Sequence, residues 1–244
     1  MDSTVFARME DLAVRAQKRG MAYSKFLTAE EAAQVQRHFA GRRDIRMLLD
    51  GGFTDAERSV AVFVNPEWGS YDREEVLAAV LIEVRRQDTL THRDVLGSVL
   101  GLGLERSILG DIYVGEQIYL ICLADLAEYI IENLKKAGRI GLRAQRLSLS
   151  ALPEITHALE ESTDTVASLR LDAVSASMFR LSRGIAAEYI RQGKVQLAHM
   201  PCEDPAKMVQ TDAIISIRGL GRGKILEIGG QSKKNRTWIR YGIY

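Results

Sequence analysis

The first 75 residues carry apolar positions at two different spacings. Within residues 5–19 and 29–39 the apolar side chains recur every three or four positions, as on one face of a helix. Residues 45–50 and 59–65 are instead short runs rich in β-branched and large apolar residues, which predict strands. We therefore predict a small α+β domain over residues 1–75.

The next 75 residues predict a regular order of six elements. Strands are predicted at 80–86, 108–114, 117–123 and 140–148, and helices at 93–104 and 126–137. The order βαββαβ is the ferredoxin-like arrangement that RNA-recognition (RRM) modules use, although unrelated functions share it. We predict an RRM-like domain over residues 76–150, on which Tyr113 and Tyr119 are the exposed rings available for stacking on a base.

The remaining residues divide into a polar segment and a third domain. Residues 151–168 are acidic and polar, contain Pro153 and show no apolar face, so we predict a linker. From residue 169 the apolar pattern returns, and Ser182 is placed as the N-cap of a helix that stops at Gly193. The fold class is therefore α+β in three domains, the last of them over residues 169–244.

Composition and charge narrow the classes of function. The chain of 244 residues is 46% hydrophobic and 27% charged and has two cysteines, which predicts a folded cytoplasmic protein with no disulfide framework and no membrane partner. The net charge of +1 conceals a split, because residues 169–244 hold 13 basic and 6 acidic side chains. A basic C-terminal segment predicts a nucleic acid or another acidic surface as its partner.

The helix predicted after Ser182 separates its charges from its apolar side chains. Arg183 and Arg191 share one face, and Ala186 and Ile190 lie on the opposite face. Such a helix presents guanidinium groups that can fork onto phosphate oxygens. An ordinary amphipathic surface helix has the same pattern, so both interpretations stay open.

Three strings of the C-terminal segment resemble a known RNA-binding domain. They are RLDAV from Arg170, LSRGIAAEYIRQGKVQLA from Leu181 and DAIISIRGLGRGKILEI from Asp212. In this order they resemble the small αL domain first known from ribosomal protein S-four. The resemblance implies that Arg170 and Arg183 contact RNA phosphates. The chain departs from the pattern at residues 198–201, where Ala-His-Met-Pro replaces the usual Asn-Gly turn.

Strings in the central segment extend the resemblance to one family. THRDVLG from Thr91, then Leu102-Gly103, Arg106 and GDI at residues 110–112 look like the central domain of the YlmH family, bacterial proteins that carry the S-four-type domain at the C-terminus. The resemblance implies binding to rRNA and tRNA on the large ribosomal subunit, in quality control of stalled peptidyl-tRNA. Genetic linkage to cell-division genes is also a property of the family.

The predicted RNA contacts are basic residues of the C-terminal segment together with one capping serine. They are Arg170, Ser182, Arg183, Arg191, Lys194, Arg218, Arg222, Lys224, Lys233, Lys234 and Arg236. If about six to eight of them touch phosphates, binding falls steeply with salt. Trp238 and Tyr241 lie among the last of these residues, and each either stacks on a base or closes a small barrel core.

We predict no catalytic residue, no cofactor and no metal ligand. The four histidines lie apart from any cysteine or carboxylate at ligand spacing, and GLGRGK from Gly219 lacks the first glycine and the Ser/Thr of a phosphate loop. Two alternatives remain, an RNA-modifying enzyme of the pseudouridine synthase or methyltransferase type and a division-linked adaptor. The oligomeric state is open, with a monomer expected off the ribosome.

Overall fold

The computed structural model describes residues 3–54, 56–85, 88–153, 159–231 and 235–244. It divides into two compact units, residues 1–156 and residues 157–244. The finer division into domains 1–75, 76–150 and 169–244 stays a prediction. No helix of the described residues is long and apolar enough to cross a membrane.

The first unit begins with two helices around a small sheet. Its elements are α1 Ser3–Arg19, β1 Met21–Tyr23, β2 Leu27–Thr28, α2 Ala29–Phe39, β3 Arg46–Asp50 and β4 Arg58–Val64. Strand β4 pairs antiparallel with β1, β2 and β3. Helix α2 starts in a capping box, in which Thr28 and Glu31 satisfy each other's backbone N–H groups. The short strands β1 and β2 were not predicted, because too few residues pair to leave an alternating pattern.

The rest of the first unit has the predicted βαββαβ order. Its elements are α3 Arg73–Val76, β5 Leu77–Val84, α4 His92–Leu100, β6 Leu109–Val114, β7 Ile118–Leu123, α5 Ala124–Asn133, β8 Lys136–Ala137 and β9 Ile140–Leu147. The strands form an antiparallel sheet in the order β6-β7-β5-β9-β8. This is the split-βαβ arrangement, so the predicted α+β fold class is confirmed.

Both faces of this five-stranded sheet are buried. One face carries Val80 and Leu120 and packs against α4 and α5. The other face carries Ala79 and Ile121 and packs against Val62 and its neighbours in the first sheet. Strand β5 is therefore apolar at almost every position, as expected for a strand covered on two sides.

Two predicted helix ends were wrong. Helix α4 stops at Leu100 instead of residue 104, because Gly101 caps it and Gly103 turns the chain at a φ of +83°. Helix α5 stops at Asn133, and β8 then pairs with β9. Gly138, which directly follows the helix predicted over residues 126–137, lies in the turn between these two strands.

The second unit is a six-stranded sheet with two helices. Its elements are β10 Glu160–Val166, α6 Leu171–Met178, α7 Arg183–Arg191, β11 Val195–Leu197, β12 Met200–Pro201, β13 Ile214–Ile217, β14 Gly221–Gln231 and β15 Thr237–Ile243. The strand order is β10-β15-β14-β13-β11-β12. The buried residues Leu171, Ile190, Ile215 and Ile239 join the helices to the sheet in one core.

The prediction of a linker over residues 151–168 was wrong for its second half. Residues 160–166 form β10, which pairs antiparallel with β15 along its whole length. Val166 is its only fully buried side chain, so the backbone pairing forms this strand without an apolar pattern in the sequence. Residues 154–158 lie outside the described part of the chain.

Candidate RNA interface

Two of the predicted arginines are held together by one carboxylate. Arg170 donates from Nε and Nη2 to Asp172, at 3.2 and 2.9 Å. Arg183 donates from Nη2 to both oxygens of the same carboxylate, at 3.1 and 3.2 Å. We call Arg170 and Arg183 the arginine pair. Their side chains stay 38% and 51% exposed while that of Asp172 is 6% exposed, so the pair faces solvent from a buried anchor.

The electrostatics of Asp172 keep this anchor charged. Burial by itself raises the pKa of a carboxyl group, but the hydrogen bonds from Arg170 and Arg183 outweigh burial and hold the pKa of Asp172 below its ordinary value. The carboxylate is therefore ionised at neutral pH. It fixes the direction of both guanidinium groups and leaves their other N–H groups available to an anion.

Helix starts and one backbone bridge position the arginine pair. Arg170 precedes α6 and forms an isolated antiparallel bridge with Met208. Ser182 caps α7 by accepting a hydrogen bond from the Ile185 N–H at 3.3 Å, as predicted. Arg183 is the first residue of α7, so the cap determines where its side chain leaves the helix.

The far end of α7 meets the hairpin between β13 and β14. Arg191 is exposed in the last turn of α7. The ammonium of Lys194 lies 5.0 Å from the centroid of the Tyr189 ring, and the backbone N–H of Arg218 donates to the Lys194 carbonyl at 3.0 Å. The fold thus brings Lys194 next to Arg218, an exposed residue 24 positions later in the chain.

The predicted contacts on β14 are more deeply placed. The Arg222 guanidinium lies 4.2 Å from the centroid of the Tyr244 ring. Lys224 has a side chain only 17% exposed and lies 3.6 Å from Asp212. Both cations therefore already interact within the protein. Lys233 and Lys234 lie outside the described residues.

A third arginine joins the predicted residues in one cleft. Arg183 and Arg236 line a cavity of about 430 Å³ together with Arg180. Arg236 is placed there by its hydrogen bond from Nε to Thr165 Oγ1, at 3.0 Å. Arg180 was not predicted, and its φ of +54° is the only local sign that a turn between α6 and α7 exposes it.

The aromatic candidates for stacking are mostly buried. Tyr241 belongs to the core of the second unit at 7% exposure, and Trp238 is half-buried. In the first unit Tyr119 is also 7% exposed, in contact with Tyr113. The prediction that Tyr119 is exposed was wrong, because the sheet face that carries it is covered.

The first unit presents exposed basic side chains near β8, β9 and the end of β5. Arg85, Lys135, Arg139 and Arg143 line a cleft of about 710 Å³ that also contains Glu83 and Asp88. These four residues are exposed, and they were not predicted because they are far apart in the chain. Among the described residues no group of His, Cys, Asp and Glu side chains is arranged to hold a metal ion.

Comparison with known proteins relates this chain to an RNA-binding family and to a ribosome-associated protein. A family model described as "Putative RNA-binding domain in YlmH" matches residues 74–151. The chain is 34% identical over 209 residues to "Ribosome-associated protein quality control protein P2" of Bacillus subtilis (strain 168), covering 82% of this chain and 79% of the relative. It is also similar to the solved structure "Cell division protein ylmH from Streptococcus pneumoniae", with a TM-score of 0.52, 16% identity, and coverage of 61% of this chain and 92% of the other.

Proposed function

The chain belongs to the YlmH family, as the sequence predicted, and we propose that it is an RNA-binding factor of ribosome-associated quality control. In this proposal it binds rRNA and tRNA on the large ribosomal subunit and holds a stalled peptidyl-tRNA complex. It acts by binding and not by catalysis. The name of the Bacillus subtilis relative supports the ribosomal role, and the matched RNA-binding domain supports the nature of the partner.

The arginine pair is the observation that carries this proposal. Two guanidinium groups fixed on one buried carboxylate suit a phosphate backbone, because planar forked donors match phosphate oxygens and their ordering is already complete before binding. The second unit adds Arg180 and Arg236, which line one cleft with Arg183, and Arg191, Lys194 and Arg218 at the far end of α7. This number of cations supports an affinity that depends strongly on salt.

The test is co-sedimentation of the full chain with ribosomes through density gradients at rising salt. Wild type is compared with Arg170→Glu plus Arg183→Glu. The matched control is Lys18→Glu plus Arg19→Glu, which makes the same change in charge at two exposed residues at the end of α1. We expect wild type and the control to travel with large subunits and the arginine-pair variant to remain at the top.

Each other result contradicts a stated part of the proposal. If the arginine-pair variant travels with ribosomes as wild type does, the second unit is not the anchor. If no form travels with ribosomes, the ribosomal role is wrong. An increase in the mass of rRNA fragments incubated with pure protein and a methyl donor would show a methyltransferase. Because pseudouridine has the same mass as uridine, a synthase would be shown by chromatographic detection of pseudouridine after digestion of the RNA to nucleosides.

A further inference from the structure

The first unit contains a cavity that the RNA-binding proposal does not use. It has a volume of about 860 Å³ and lies among α1, the segment between β1 and α2, and residues 105–107. That volume is within the range of small-molecule sites. Part of its lining is apolar, including the buried side chains of Met9, Phe26 and Leu27.

Two arginines enter the cavity from the sheet side. Arg58 donates to the carbonyls of Leu109 and Phe26 at 3.2 and 3.1 Å. Arg106 donates to the carbonyls of Leu109 and Gly110 at 2.6 and 2.9 Å. Both guanidinium groups are thus tied to neutral oxygens, and neither has a carboxylate in an ion pair among the described residues.

The charge of these arginines is only partly balanced. Burial and the repulsion from Arg58 lower the pKa of Arg106 below its ordinary value. A protein that buries like charges side by side gains from an anion placed between or next to them. Attraction by Asp111 and Glu57 offsets only part of the lowering of the Arg106 pKa, and the Asp111 carboxylate accepts hydrogen bonds from the backbone N–H groups of Glu57 and Arg58. Two acids of the cavity lining are engaged elsewhere, since Glu105 pairs with Lys25 at 2.5 Å and Glu31 holds the capping box of α2.

Helix α1 supplies three further charged groups to the same cavity. Arg8, Asp11 and Arg15 recur at helical spacing and all line it. None of the three has an ion-pair partner in the described part of the chain. Two cations can bind a phosphate group, and a carboxylate between them can accept hydrogen bonds from ribose hydroxyls.

We propose that this cavity binds a nucleotide. The four arginines that line the cavity would contact the phosphate of the nucleotide, Asp11 would contact the ribose, and the apolar side chains would pack against the base. The ligand is either a free mononucleotide or the 5′-phosphorylated end of an RNA, because both present the same chemistry. The site lies in the first unit and does not depend on the arginine pair of the second unit.

The first experiment is isothermal titration of the full chain with AMP and with inorganic phosphate. The test variant is Arg8→Glu plus Arg15→Glu, both exposed residues whose replacement leaves the core intact. The control is again Lys18→Glu plus Arg19→Glu, on the same helix and outside the cavity lining. We expect AMP to bind wild type and the control within twofold of each other, and to bind the test variant at least tenfold more weakly.

A second arm identifies the source of the ligand. A short RNA is titrated with and without its 5′-phosphate. If the phosphate strengthens binding to wild type and the control but not to the test variant, the cavity takes an RNA end, whether or not AMP binds. The proposal is overturned if neither AMP nor the 5′-phosphate has an effect, if the test variant and the control bind alike, or if inorganic phosphate binds as tightly as AMP.

Discussion

Replacing Asp172 by asparagine separates two reasons why the arginine pair would bind RNA. Asp172 is 5% exposed and accepts hydrogen bonds from both arginines. Asparagine has almost the same shape but no charge, so it cannot hold two guanidinium groups. The variant also raises the net charge of the second unit by one. Charge alone predicts tighter binding to RNA, whereas loss of position predicts weaker binding.

The two effects differ in size. Ordering one long side chain on binding costs about 0.5–1.5 kcal/mol, so releasing Arg170 and Arg183 weakens binding by about 1–3 kcal/mol. One more positive charge about 4 Å from a phosphate gains about 1 kcal/mol in water. We therefore expect Asp172→Asn to bind ribosomes less tightly by about 1 kcal/mol, which is roughly a fivefold higher Kd.

Quantitative co-sedimentation at one fixed ionic strength measures this difference. Glu188→Gln on α7 is the matched control, because it makes the same change in charge and, within the described part of the chain, the Glu188 carboxylate accepts a hydrogen bond only from Gln192, at 2.9 Å. We expect the control to bind as well as wild type or slightly better. If Asp172→Asn binds ribosomes as tightly as wild type or more tightly, in a sample that circular dichroism shows to be folded, the carboxylate does not act by positioning the two arginines.

The lowered pKa of Asp172 also predicts that the stability of wild type depends on pH in a way that the stability of Asp172→Asn does not. The native pKa lies below that of an unfolded aspartate, about 3.9. Between the two values the unfolded chain binds more protons, so stability falls as pH falls through this window. Urea unfolding between about pH 3 and pH 6 should show wild type losing more stability than Asp172→Asn as the pH falls, because the other carboxyl groups of lowered pKa, such as Asp50, are present in both proteins. A difference between the two proteins that stays constant with pH would contradict it.

Two further predictions concern packing. Gly69→Ala places a Cβ 2.3 Å from the Gly20 carbonyl oxygen, so thermal unfolding should show that the free energy of unfolding falls by about 1–3 kcal/mol. The control Gly141→Ala adds a Cβ that meets nothing within 4 Å, so its free energy of unfolding should stay within about 1 kcal/mol of that of wild type. Equal effects of the two substitutions would contradict the prediction. Burial raises the pKa of the Cys122 thiol to about 12. Mass spectrometry after alkylation near neutral pH should therefore find Cys202 labelled in the native protein and Cys122 labelled only after unfolding. Labelling of Cys122 in the native protein would show that the core around it opens.

The sequence predicted those elements that bury an apolar pattern. The βαββαβ order follows from strands such as β5 and from helices such as α4, whose capping residue Thr91 precedes a clear apolar stripe. Strand β10 was missed because its side chains are polar and its backbone pairing with β15 leaves no trace in composition. Tyr119 was misplaced because its sheet face is covered by residues distant in the chain.

That the selected residues contact RNA stays a prediction, but local sequence fixes the position of three of them. The motif strings identified Arg170, Arg183 and the capping Ser182, since all three are placed by helix starts. The buried carboxylate that joins the two arginines is a tertiary contact between α6 and α7, and its geometry could not be derived from spacing. Arg180 was missed because only the turn conformation brings it into the cleft with Arg236.

The two-sided burial of the five-stranded sheet determines how this protein can be cut into fragments. A truncation at the family boundaries, residues 74–151, would uncover Leu77, Ala79, Leu81 and Ile121, all buried in the intact unit. A contiguous apolar face of this kind drives aggregation and chaperone capture. Expression of residues 74–151 by themselves is thus expected to give inclusion bodies, while a fragment ending at residue 156 keeps the covering sheet and remains suitable for isolation.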